Sequence, residues 1–67
     1  MISIVLNGRE HQLGMEIPVG KLLEQLDIPH VGTAVAVNSS IIPREQLHEH
    51  RIKNGDTVEI IRAIGGG

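Results

Sequence analysis

The chain has 67 residues, a formal net charge of −2, and no cysteine, tryptophan, tyrosine or phenylalanine. That size allows one domain burying about 60% of its unfolded surface, built on isoleucine, valine and leucine without disulfide or thiolate–zinc staples. Interspersed charges and the lack of aromatic stacking platforms argue against a nucleic-acid partner, and no run approaches the ~20 apolar residues of a membrane span.

The opening MISIVLNGRE has neither the basic start nor the apolar length of a secretion signal, so a cytoplasmic protein is expected. ISIVL reads as a first strand. Ile2, Ile4 and Leu6 share one face, and Val5 on the other suggests cover on both faces. Asn7-Gly8 supplies the positive φ angles of a two-residue hairpin turn. REHQL returns as a more polar strand, expected at an edge.

Val19, Leu22, Leu23 and Leu26 then fall at i, i+3, i+4 and i+7, one face of a helix. Pro18 suits the first helical position, where its missing N–H costs nothing. Gly20 and the absence of a Ser, Thr, Asp or Asn cap are weaknesses, so this helix depends on packing its leucine stripe. Ile28-Pro29 is expected to end it. GTAVAVN reads as a third strand, with Ala34 and Ala36 on a side that a helix or backbone can approach closely. Asn38-Ser39-Ser40 is a turn, IIP a short strand stopped by Pro43, REQLHEH a single helical turn, and Asn54-Gly55-Asp56 a second tight turn. TVEIIRAI is the last strand, with Val58, Ile60, Arg62 and Ile64 on one side and Thr57, Glu59, Ile61 and Ala63 on the other.

A hairpin followed by a crossover helix needs a return strand parallel to one hairpin strand. The economical arrangement is an α+β domain: a mixed sheet of four to five strands curled around one helix, with the first and last strands as parallel neighbours at its centre. The domain is placed at residues 1–64, and residues 65–67 form a flexible glycine tail. Glycine adds no side chain to a core and loses the most backbone entropy on ordering. The ending RAIGGG is therefore either slack or the working part.

This element order and several short motifs resemble the ThiS family of sulfur carriers in bacterial thiamine biosynthesis. The matching pieces are LLEQLD in the helix, AVAVN in the third strand, IIPREQ after it, NGD before the last strand and AIGGG at the end. One departure is Glu16-Ile17-Pro18, where the family often has threonine or another good helix cap. The resemblance implies a β-grasp, ubiquitin-like fold. It also implies a carrier rather than an enzyme, with no bound cofactor. A ubiquitin-activating-type, ThiF-like adenylyltransferase would use ATP to turn the Gly67 carboxylate into an acyl-adenylate. A cysteine-derived persulfide would then displace AMP. The resulting thiocarboxylate would donate sulfur to a ThiG-like thiazole synthase.

The residues suit that chemistry. A C-terminal carboxyl titrates at roughly 3.3–3.7 in a model chain, so it is ionised at neutral pH and attacks phosphorus without its own general base. Gly65 and Gly66 lack Cβ, so they thread a narrow channel and leave the Gly67 carbonyl open on both faces. From Ala63 onward the arm reaches at most ~17 Å, at ~3.3–3.6 Å per residue. Ordering it on binding costs entropy that a docking surface must offset. Ile61, Arg62 and Ile64, beside the arm, are the docking candidates, against core packing or simple surface charge. Ile41 and Ile42 pose the same question.

Other residues read more plainly. His48-Glu49-His50, with His11 and His30 elsewhere, lacks thiolates and a third nearby ligand, so a solvated loop is preferred to a metal site. Arg44-Glu45 matches the family motif but has no derived role beyond a structural ion pair or cap. Lys21 and Lys53 are the only lysines, which disfavours a modifier polymerised through its own lysines. Three alternatives stay in view: the small sulfur-carrying subunit of molybdopterin synthase, a ubiquitin-like protein modifier, and a non-covalent binding module.

Overall fold

The Asn7–Gly8 pair turns the chain as its residue types demand. In the computed structural model, which describes residues 1–62, φ is 49° at Asn7 and 83° at Gly8. The turn joins β1 (Ile2–Leu6) to β2 (Arg9–Leu13) in antiparallel register, with Ile2 opposite Leu13 and Leu6 opposite Arg9. Ile4 is buried, but Val5 is 39% exposed. The expected cover on both faces of this strand is therefore absent. One helix lies over one face of the sheet, and Val5 points to the other.

The crossover helix α1 runs Val19–Gln25, one residue later than expected at its start. Pro18 is extended, with φ −63° and ψ 152°, and stands as the N-cap rather than the first helical residue. It belongs instead to a two-residue strand, β3 (Ile17–Pro18), which pairs antiparallel with β6 (Arg51–Ile52). The missing side-chain cap is replaced by backbone from the same region. Val19 N–H donates to the His50 carbonyl at 2.9 Å, and Gly20 N–H to the Leu47 carbonyl at 2.7 Å. Two of the helix's orphan donors are thereby satisfied. Gly20 serves this contact: a Cβ there would lie 3.1 Å from His48 Nδ1 and 3.3 Å from the Leu47 carbonyl oxygen. The helix ends before Ile28-Pro29. Asp27 takes φ 59°, its N–H reaches the Glu24 carbonyl, and Ile28 N–H reaches the Leu23 carbonyl at 2.9 Å. This is the two-bond glycine-type stop of a helix C-terminus, here made with Asp. The leucine stripe packs as expected: Val19, Leu22 and Leu23 are fully buried, and Leu26 is half-buried.

The return strands are β4 (Thr33–Val37), β5 (Ser40–Ile41) and β7 (Thr57–Arg62). The main sheet has the order β2-β1-β7-β4-β5. β7 runs parallel to β1, with Val5 opposite Thr57, and antiparallel to β4, with Thr33 opposite Arg62 and Val37 opposite Val58. The expected central pair and polar edge strand are both present, at the upper end of the expected strand count. In β4 it is Val35 and Val37 that fill the core. Ala34 is exposed, and Ala36 lies across from Ile41 and Glu59 on the far face, so the alanines do not mark the helix side. The β4–β5 turn is tighter than expected: Asn38 and Ser39 both have positive φ, and Ser40 already belongs to the strand. A 3₁₀ turn at Arg44–Gln46 provides the expected helical turn.

Three asparagines outside the strands complete the hydrogen bonding around β7 and β1. Asn7 Oδ1 accepts from Ile60 N–H at 2.8 Å, Asn38 Oδ1 from Thr57 N–H at 3.0 Å, and Asn54 Oδ1 from Ser3 N–H at 2.8 Å. Turn residues thus also clamp the sheet, and no charged or polar side chain is buried among the described residues.

Candidate functional site

β7 carries the chain through the centre of the sheet to Arg62, the last described residue. Ile64, Gly65, Gly66 and Gly67 lie outside the described residues, as does the proposed domain boundary. Of the expected docking residues, Ile61 and Arg62 can be located. Both are exposed, Ile61 at 55%. Strand alternation puts Ile61 on the face away from the helix, directly opposite Ala34 on β4.

The Ile41–Ile42 question splits. Ile41 is 63% exposed, whereas Ile42 is buried and its N–H donates to the Val35 carbonyl at 2.8 Å. Ile41 and Ile61 line an open groove of about 460 Å³ beside the end of β7, together with Ala34, Pro43 and Arg44. Arg44 is the residue that sequence reasoning left without a role. Its place is set by the hairpin that brings residue 44 beside residue 61, and no local spacing announces it.

The histidines are dispersed around structural tasks. His11 sits on β2 opposite Ile4. The rings of His30 and His48 meet with centroids 5.6 Å apart, and His30 Nε2 lies 3.3 Å from the Gly20 carbonyl, donating in the tautomer that carries its proton there. His50 contributes its carbonyl to the helix start. Among the described residues, no three His, Asp or Glu side chains converge on a metal-sized point. Described hydroxyls with hydrogen bonds serve the fold. Ser3 Oγ donates to Glu10 Oε2 at 3.0 Å, and Thr33 Oγ1 donates to the Pro29 carbonyl at 2.6 Å. Lys21 reaches Glu24 at 3.9 Å, a solvent-exposed pair along the helix. The described surface thus holds an open, largely apolar groove beside the end of β7.

The ThiS family model matches residues 3–67. The chain is 38% identical over 66 residues to the sulfur carrier protein ThiS of Escherichia coli (strain K12), covering 98% of this chain and 100% of that protein. It is also 32% identical over 66 residues to a thiazole synthase of Paramagnetospirillum magneticum, covering 98% of this chain but 20% of that protein. Its backbone superimposes with a TM-score of 0.85 on the crystal structure of a thiamine biosynthesis protein (ThiS) from Geobacter metallireducens, at 26% identity, covering 98% of this chain and 100% of the other.

Proposed function

This chain belongs to the ThiS family, and on that premise we propose that the Gly67 carboxylate is its sulfur-bearing group. The fold is the β-grasp of its ThiS neighbours, and the protein is a sulfur carrier of thiamine biosynthesis, not a catalyst. One observation carries the proposal for Gly67. The central strand β7 delivers the chain to Arg62 beside an exposed apolar groove, five residues short of the terminal glycine.

In the proposed cycle a ThiF-like adenylyltransferase binds ATP. A Gly67 carboxylate oxygen attacks the α-phosphorus, and pyrophosphate leaves. A persulfide sulfur then attacks the activated carbonyl carbon, and AMP leaves with the bonding pair. Reduction of the S–S bond by a thiol frees the thiocarboxylate, which passes its sulfur to thiazole synthase. ATP and the sulfur donor are held by partners, and the carrier binds no cofactor of its own. Gly65 and Gly66 contribute slimness, letting the arm pass where a Cβ would collide. Ile61, Arg62 and Ile64 contribute contact at the root of the arm. The proposed location is the cytoplasm. Among the described residues no helix is long and apolar enough to cross a membrane. The thiazole synthase relative favours this branch over a molybdopterin synthase subunit.

The test is an alanine appended after Gly67. The expected result is unchanged thermal unfolding with complete loss of sulfur loading, because the reacting carboxylate has been moved past the glycine it belongs to. Loading at the wild-type rate would remove Gly67 from the mechanism.

A further inference from the structure

The groove beside Ile61 carries one formal charge. Among its described lining residues the charged side chain is Arg44, and there is no carboxylate. Ile41, Ile61, Ala34 and Pro43 form its apolar surface. Single exposed isoleucines are ordinary on small proteins. Two of them on neighbouring parts of one concave surface are more than scatter, and contiguous apolar exposure marks interaction sites.

Arg44 is held at the rim by its backbone. Pro43, extended at φ −58° and ψ 146°, leads into the 3₁₀ turn, and the Arg44 carbonyl accepts the Leu47 N–H. Its guanidinium takes part in no ion pair among the described residues. The fold therefore fixes where this cation emerges without using it. A planar, permanently charged fork beside aliphatic surface is suited to a carboxylate placed next to an aliphatic side chain.

We infer that this groove is the docking surface for the sulfur-accepting thiazole synthase, and that Arg44 sets its specificity by pairing with a carboxylate on that protein. The inference rests on the carrier function proposed above. Charge complementarity selects an acidic, aliphatic contact. The occupant is argued from the thiazole synthase relative, in which a segment similar to this chain is one fifth of a longer protein. Joining two modules in one chain makes their meeting intramolecular, at effective concentrations of order mM for short linkers. Where the two modules meet as separate proteins, contact area and charge must supply the encounter. The groove and Arg44, with the exposed Arg62, are described features placed to do so beside the end of β7.

The experiment is a titration of the full-length, unmodified carrier against the thiazole synthase of the same organism. It compares wild type, Arg44→Glu, Arg44→Gln and Arg9→Glu. Arg9 is exposed on β2, at the opposite edge of the sheet from β5, so Arg9→Glu makes the same charge change away from the groove. Arg44→Glu is expected to weaken binding by ~10-fold or more, as for a rim charge opposed to its partner, while Arg9→Glu stays within about twofold. Arg44→Gln should fall between them. Raising salt should weaken the wild-type complex and leave the Arg44→Gln complex nearly unchanged. Melting temperatures establish that the variants are folded.

Binding of Arg44→Glu equal to that of Arg9→Glu would overturn the inference. So would an Arg44→Glu defect seen with the adenylyltransferase alone, or failure of the wild-type carrier to bind thiazole synthase. Sulfur loading of Gly67 is read separately by mass, so failure of the carrier chemistry is distinguished from failure of the docking surface.

Discussion

The two faces of β7 are made of similar residues put to different uses. Toward the helix, Val58 is fully buried and Ile60 half-buried within the core. Away from it, Ile61 stands exposed across from Ala34, with Ile41 nearby in the same groove. Burying a large aliphatic side chain is worth about 1.5–3 kcal/mol, which accounts for the inner residues. It accounts only in part for the outer ones, Ile61 and Ile41, which stay more than half exposed in the fold. Among the described residues there is one α-helix, and it covers one face of the sheet. The apolar surface that Ile61 and Ile41 leave exposed on the other face is what a partner would cover.

The sharpest way to break this comparison is to mutate both faces. Leu22→Ala, beneath the sheet, should destabilise by about 2–5 kcal/mol in chemical denaturation. A cost below about 1 kcal/mol would mean that the inner face is not the core it is described to be. Asn7→Gly keeps the positive φ of the turn and removes the bond from Asn7 Oδ1 to the Ile60 N–H. It should cost about 0.5–1.5 kcal/mol, and an unchanged melting temperature would show that this clamp on β7 contributes nothing. Ser39, at φ 71°, pays for a left-handed conformation in the hairpin that carries Ile41. Ser39→Gly should stabilise by up to about 1 kcal/mol while leaving the outer face and partner binding unaltered. The smallest expected change in stability is for Ile61→Ser, within about 0.5 kcal/mol, accompanied by clear loss of thiazole synthase binding. A large loss of stability from Ile61→Ser would move that residue into the core and erase the distinction between the faces.

Signals confined to a few neighbouring residues were read correctly from the sequence. Asn7-Gly8 and Asn54-Gly55 turn the chain, the leucine stripe faces the sheet, and the last strand alternates as expected. The features missed depend on residues far apart. β3 and β6 have two residues each, too few for alternation to register, and pair across more than thirty positions. The start of α1 is capped by the Leu47 and His50 carbonyls, and backbone atoms leave no trace in a side-chain pattern. That same contact explains Gly20, which looks like a defect within the helix alone. The small alanines of β4 suggest a close approach by a helix or another backbone; the helix side is taken by Val35 and Val37, while on the far face Ala36 is buried and Ala34 is exposed. Arg44 became meaningful only when the β4–β5 hairpin set it beside Ile61.

The central claim is that sulfur is carried on the Gly67 carboxylate. The most direct measurement is the intact mass of the full-length protein after incubation with its adenylyltransferase, ATP and a sulfur donor, with fragmentation to locate the change. The account predicts a gain equal to the exchange of one oxygen for sulfur, confined to the C-terminal glycine and dependent on ATP. An unchanged mass with a demonstrably active partner, or sulfur found on any other residue, would contradict it.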